Sequence, residues 1–170
     1  MFLAVALVFN RPVLEQTSGP VVYLPIVMNP CPQGFPYVPA DDLQRELDMA
    51  EAINGERQLA GLAPLKLDER LTQAARKHSR DMADNDFVSH TGSDGSSPAE
   101  RMTAACYEWS TWGETIGAGY STVEAMLKAW MDSPGHHDII LDPDFADFGV
   151  GYAFNADNIY GHHWTVDFGR

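Results

Sequence analysis

The sequence predicts an α+β domain with antiparallel strands. Apolar residues recur at helical spacing through most of the chain after position 40. Aromatic and β-branched residues then gather in two runs near the end, split by a turn cluster. Helices come first and a terminal hairpin last, an order that argues against a doubly wound parallel sheet. With 170 residues, 45% hydrophobic and 21% charged, the chain is one domain with room for an appendage and is long enough to bury a core.

Taken in order, Asp41-Asp42 after Pro39 marks a helix start with acid in the first turn. Leu43, Leu47, Ala50 and Ile53 or Asn54 recur at helical spacing, and Gly61 ends the pattern. Asp68 caps a second helix, on which Leu71, Ala74, Ala75, His78 and Met82 share one face. Pro98 fits the first turn of a short third helix, 97–105. Residues 121–133 read as a fourth, with Val123, Met126, Leu127 and Trp130 on one stripe. A short strand is expected at 115–120. The runs 148–154 and 159–168 are expected to pair through the turn at 155–158.

Residues 1–40 differ from the rest. They hold 7 of the 11 prolines and only two charges, Arg11 and Glu15. Proline at that density prevents a stable helix. The stretch 1–40 therefore reads as an extended leader and linker. Its apolar start, 1–9, is either the remnant of an export signal or a strand packed on the domain. The folded domain is expected at 41–170. Cys31 and Cys106 are too few for a disulfide scaffold. Either they are independent thiols, or one long-range bridge ties the leader to the body of an exported protein.

Lys and Arg number 11 against 24 Asp and Glu, a formal net charge of -13. Such a surface repels phosphate backbones, which excludes nucleic acid as a partner. Residues 102–170 hold only Lys128 and Arg170 against ten acids, so a cation would be drawn there. No apolar run reaches the roughly 18 residues of a transmembrane segment. H-E-x-x-H, G-x-S-x-G, a Walker loop and a full dinucleotide fingerprint are all absent.

What remains is a string of spaced signatures. It begins with Asn54-Gly55-Glu56-Arg57, Gly61-Leu62-Ala63-Pro64-Leu65 and Ala74-Ala75-Arg76-Lys77-His78. Asp81-Met82-Ala83, Ser89-His90, Asp94-Gly95 and Pro98 to Arg101 follow. Gly113-Glu114-Thr115-Ile116, Trp130-Met131-Asp132-Ser133-Pro134-Gly135-His136, Phe148-Gly149-Val150-Gly151-Tyr152 and Trp164-Thr165-Val166-Asp167-Phe168-Gly169 close it. In this order they resemble the CAP superfamily, and in particular its bacterial SCP-like branch. The resemblance implies a three-layer α-β-α sandwich around a central, mainly antiparallel sheet, and an extracellular or cell-surface location.

The resemblance also implies a cleft with two histidines, His90 and His136, and one acid, Glu114. A second glutamate of many eukaryotic members is replaced by Ser133, beside Asp132. Two imidazoles and a carboxylate are the ligand set of an open zinc site, or one for another divalent cation. The alternative is a hydrogen-bonded His–Glu cluster that shapes the cleft. Two functions follow. One is a binding module for an envelope or extracellular ligand, whether lipid, glycan, peptide or protein. The other is a metal-assisted hydrolase with Glu114 as candidate catalytic base.

Other residues read more plainly. His78 is expected as a core histidine. His162 and His163 alternate faces of the last strand, one of them toward solvent. The acids Asp142, Asp144 and Asp147 read as a solvated loop. Trp130, Trp164, Phe148 and Phe168 are expected in the core, while Trp109 and Trp112 flank a loop near the cleft.

Overall fold

The computed structural model describes residues 39–170. The leader reading, apart from its last two positions, lies outside the described residues, as does Cys31. Cys106 is disulfide-bonded. The elements are α1 (Ala40–Leu59), β1 (Lys66–Leu67), α2 (Glu69–Asp84), α3 (Pro98–Ala104), β2 (Trp112–Ala118), α4 (Val123–Met131), α5 (Pro134–Ile140), β3 (Asp147–Phe154) and β4 (His162–Gly169).

Four strands form one sheet in the order β1-β3-β4-β2. The expected hairpin is β3 and β4, paired antiparallel from Asp147↔Gly169 to Phe154↔His162. β2 lies antiparallel on the other side of β4, with Glu114 opposite Asp167. β1 adds two residues parallel to β3, so the sheet is mixed. A strand that short carries no periodic signal, and the sequence reading passes over it.

Helices cover both faces. On one, α1, α4 and α5 contribute Met49, Ile53, Met126, Trp130 and Ile140 to a core shared with Phe148, Val150, Tyr152, Trp164, Val166 and Phe168. The four aromatic residues expected in the core are there, each at most 1% exposed. On the other face α2 lies against β3 at Gly149 and Gly151. A Cβ at Gly149 would fall on the backbone of Leu71 and Thr72, and one at Gly151 on that of Ala75 and Arg76. Glycine is needed here because helix backbone and strand backbone touch. Leu71 and Ala74 of α2 then pack with Met102 and Tyr107.

α2 matches its reading closely. Asp68 accepts from Arg70 N at 2.9 Å as the N-cap, and Leu71, Ala74, Ala75, His78 and Met82 are all buried. α1 departs from its reading. Leu43 and Leu47 are 41% and 44% exposed, and the buried side carries Glu46, Met49, Ala50, Ile53 and Arg57. The reason is polar. Glu46 accepts from the backbone N–H of Tyr152 at 3.1 Å and from Arg76 Nε at 2.9 Å, which turns this side of α1 to the sheet. Arg57, 1% exposed, donates to the carbonyls of Ile140 and Asp142 at 2.8 and 2.9 Å. That contact ties the C-terminal end of α5 to α1.

Candidate functional site

The loop between α2 and α3 carries His90. Asp81 near the end of α2 anchors it, accepting from Ser93 N at 2.8 Å and from the Ser93 hydroxyl. Gly95, at φ +84°, completes the tight turn, where left-handed backbone favours glycine. α3 then starts with a capping box in which Ser97 Oγ accepts from Glu100 N and Glu100 accepts from Ser97 N. This fixed start brings Arg101 under the loop. Arg101 is 4% exposed, and its Nη2 donates to the His90 carbonyl at 3.1 Å while Nη1 donates to the Ser96 carbonyl at 2.9 Å.

Glu114, in β2, points to the same side of the sheet as Asp167 and is 3% exposed. Its Oε2 accepts from Arg101 Nη2 at 2.6 Å, and its Oε1 accepts from His90 Nδ1 at 2.6 Å. A carboxylate can only accept, so His90 carries its proton on Nδ1 and presents Nε2. The His90 side chain is 53% exposed against 1% for that of Glu114. A half-open imidazole is thus held from behind by a buried acid, itself held by a buried guanidinium.

His136 lies in α5, a seven-residue helix that starts at Pro134 and follows Ser133 as N-cap. Sequence periodicity gives no sign of this helix. His136 is half-buried and its Nδ1 finds no hydrogen-bond partner among the described residues. Burial lowers its pKa, and the charge that His90 would carry lowers it further. The two imidazoles are thus near enough for the charge of one to bear on the other. Ser133 makes no side-chain capping bond. Asp132 turns to solvent instead, where it pairs with Lys128 at 2.6 Å.

Two buried groups complete the site, and neither has a role in the sequence reading. One is Arg101. The other is Asp167, fully buried across from Glu114, to whose side chain its protonated carboxyl is placed to hydrogen-bond. Burial raises its pKa well above 3.8, the Glu114 charge raises it further, and Arg101 pulls the other way. One guanidinium faces two carboxyl groups. Both residues stand inside quoted signatures, but only the β2–β4 register and the α3 packing reveal their roles.

The remaining residues fall where ordinary packing puts them. His78 is fully buried with Nε2 at 2.8 Å from the Ser89 carbonyl. His163 is fully buried, and His162 is half-buried with Nδ1 at 2.6 Å from the Tyr152 hydroxyl. The two alternate faces as expected, and His162, the partly exposed one, has the rings of Tyr152 and Phe154 beside it. Asp142 caps its own turn at Asp144 N, and Asp147 accepts from Tyr107 at 3.0 Å, so the three acids do not converge. Trp109 and Trp112 are 40% and 39% exposed and meet edge to face.

For a metal the donor set is narrow. Both Glu114 oxygens already hold protein donors. That leaves His90 Nε2 and the His136 ring, two nitrogen donors where an open zinc site takes three protein ligands. Among the described residues no group of three His, Cys, Asp or Glu side chains is arranged to hold a metal ion. No described helix is long and apolar enough to cross a membrane.

Comparison with known proteins adds to this geometry. The model of the cysteine-rich secretory protein family, CAP, matches residues 50–168. The uncharacterized protein YkwD of Bacillus subtilis (strain 168) is 40% identical over 123 residues, 72% of this chain and 46% of that protein. The uncharacterized membrane protein YlbC of the same strain is 30% identical over 106 residues, 62% of this chain and 31% of that protein. The chain thus spans less than half the length of these curated relatives. Among solved structures, an extracellular protein containing a SCP domain from Bacillus anthracis str. Ames superposes with a TM-score of 0.69 at 27% identity. That match covers 81% of this chain and 45% of the other. An outer surface protein from Borrelia burgdorferi shares the fold, with a TM-score of 0.68 at 22% identity over 81% of this chain and 98% of its own.

Proposed function

The chain belongs to the cysteine-rich secretory protein family, and from that premise we propose that it is an extracellular or cell-surface SCP-like binding domain whose cleft is built on His90, Glu114, His136 and Ser133. The folded unit is 41–170, which contains the whole family match, and 1–40 is its leader and linker. The disulfide at Cys106 supports an oxidising, external location, as do the solved relatives described as extracellular and outer-surface proteins.

One observation carries the preference for binding over hydrolysis. Glu114 is engaged at both oxygens, by Arg101 and by His90, each at 2.6 Å. A general base needs an oxygen within reach of the proton it takes. Here the acid is buried beneath the histidine that would meet the ligand. It sets the His90 tautomer, anchors the loop and leaves a half-open imidazole at the surface. A divalent cation would meet two imidazoles, with Glu114 behind His90, an arrangement suited to loose association. The ligand is of the envelope or extracellular class, a lipid, glycan, peptide or protein.

Cosedimentation with bacterial cell-wall sacculi, before and after EDTA dialysis, tests this reading. Bound protein is expected to be unchanged by EDTA, with no release of wall fragments or peptides. Turnover that disappears with EDTA, or in Glu114→Gln, would overturn it in favour of a metal-assisted hydrolase.

A further inference from the structure

Cys106 is disulfide-bonded, and the only other cysteine of the sequence is Cys31, outside the described residues. Cys106 directly follows Ala105, the C-cap of α3, and has φ +65°. Left-handed backbone just past a helix end is where glycine is favoured. A cysteine stands there instead, so a side chain is retained at an unfavourable position for the covalent bond it makes.

That bond sits at the edge of a pocket. About 340 Å³ opens on α3, lined by Ala99, Glu100, Thr103, Ala104 and Trp109 and mostly apolar. Thr103 joins the pocket to the cysteine. Its carbonyl accepts from Cys106 N at 2.9 Å, and its hydroxyl accepts from Trp109 Nε1 at 3.2 Å. Trp109 is held by that bond and by Trp112, edge to face with ring centroids 6.3 Å apart, yet it is 40% exposed. A fixed aromatic face beside a covalent tether is a docking place for the tethered chain.

The leader has matching chemistry. Cys31 stands between Pro30 and Pro32. Proline fixes its own φ and biases the residue before it to extended backbone, so this stretch favours a polyproline conformation. Such segments lie on aromatic faces at low entropic cost. Between Glu15 and Asp41 the sequence holds no charged residue, which suits an apolar pocket.

The reach also fits. Pro39 is the N-cap of α1. Arg76 of α2 meets Glu46 of α1 at 2.9 Å, and Arg70 of α2 lies over the Tyr107 ring at 5.0 Å. The helix between those two arginines is about 9 Å long, and α1 from Glu46 back to Pro39 adds about 10 Å. The chain from Cys31 to Pro39 extends to about 26 Å. It is long enough to pass over α2 and meet Cys106.

We propose that Cys31 is the disulfide partner of Cys106 and that the bridge lays Pro30 and Pro32 on Trp109 in the α3 pocket. The leader is then latched to the domain at this bridge as well as at Pro39. Closing the latch joins the two Sγ atoms by thiol–disulfide exchange. The two thiols give two protons and two electrons to a disulfide oxidant, which leaves as a dithiol. Reduction reverses the step and frees the pocket, so the latch is redox-sensitive. None of this depends on what the His90 cleft binds.

Peptide mapping of the unreduced full chain by mass spectrometry tests the bridge. The fragment carrying Cys31 is expected to be linked to the fragment carrying Cys106, in a monomer. A free Cys31 thiol, or a bridge between two copies of the chain, overturns the proposal. NMR of the isotopically labelled, oxidised protein tests the docking. Cross-relaxation is expected between the Trp109 ring and the Pro30 and Pro32 ring protons. Pro30→Ser with Pro32→Ser keeps the bridge and should abolish those cross-peaks. It should also move the Trp109 Nε1–H signal and leave those of Trp130 and Trp164 in place. Cys31→Ser should move the Trp109 signal in the same way. An intact bridge without the cross-peaks, or a Trp109 signal that neither variant moves, overturns the docking. Should a variant fail to fold, the unreduced parent still decides through the linked fragments and the cross-peaks.

Discussion

The two faces of the sheet are built from opposite materials. Toward α1, α4 and α5 stand Phe148, Val150, Tyr152, Trp164, Val166 and Phe168, none more than 5% exposed. Toward α2 stand Glu114, His163, Thr165 and Asp167, equally buried and all polar. Ser79 of α2 joins that row, donating to the Gly151 carbonyl at 2.9 Å, with the Thr165 hydroxyl at 2.8 Å. The apolar face needs no partner for its stability beyond its own packing. The polar face is tolerable only because most of its groups have a neighbour, and where neighbours run out, as at His78 Nδ1, the structure carries a cost. Every residue of the candidate cleft that is fixed from beneath is fixed from the polar face. The apolar side carries the fold, and the polar side holds His90 and Glu114, while His136 and Ser133 reach the candidate cleft from α5 and its N-cap.

The largest expected effect tests the apolar side. Trp164 is fully buried in the main cluster, and its Nε1 donates to the Tyr120 carbonyl at 2.9 Å. Trp164→Ala is expected to lower unfolding free energy in urea by about 3–5 kcal/mol. A loss below about 1 kcal/mol would mean that the apolar face does not carry the fold. Next in size is Gly151→Ala, on the polar side. The added methyl meets backbone of α2, which cannot turn away as a side chain can. A loss of about 3 kcal/mol is expected, at the upper end for overpacking. Because α2 carries Asp81, which anchors the His90 loop, the His90 and Arg101 NMR signals should also move. Those signals should stay in place in any Trp164 variant that still folds. Equal disturbance in both would erase the distinction between the faces.

How much of this was legible beforehand follows the same division. α2 reads out because a strong 3.6-residue pattern and an Asp68 cap agree. The hairpin reads out because β-branched and aromatic runs flank a turn cluster. The buried face of α1 does not follow its apolar pattern because its orientation is set by Glu46 and Arg57, whose partners Arg76, Ile140 and Tyr152 lie 30 to 106 residues away in the chain. α5 and β1 are too short to show a period. His90, Glu114 and His136 are legible only through the resemblance to a family, since their spacing alone says nothing about proximity. Arg101 and Asp167 were passed over because their meaning exists only across elements, in a strand register and a helix packed beneath a loop.

The smallest expected effect sharpens the comparison by changing its sign. Asp167 stands across from Glu114 and is held protonated by burial and by that neighbouring charge, against the pull of Arg101. An unfolded chain releases this proton near 3.8, whereas the folded one keeps it. Folding therefore takes up a proton above that value, and the contribution of Asp167 to stability falls as pH rises from about 4 toward its folded pKa. Asp167→Asn removes the titration and keeps the shape. It is expected to match the parent near pH 4 and to exceed it at pH 7, since the buried acid no longer has to resist ionisation. Urea midpoints at the two pH values read this directly. A gain that is larger at pH 4 than at pH 7 would show that Asp167 ionises readily when folded, so that Arg101 serves both carboxylates. The polar face would then be as well compensated as the apolar one, and the difference drawn between them would not hold.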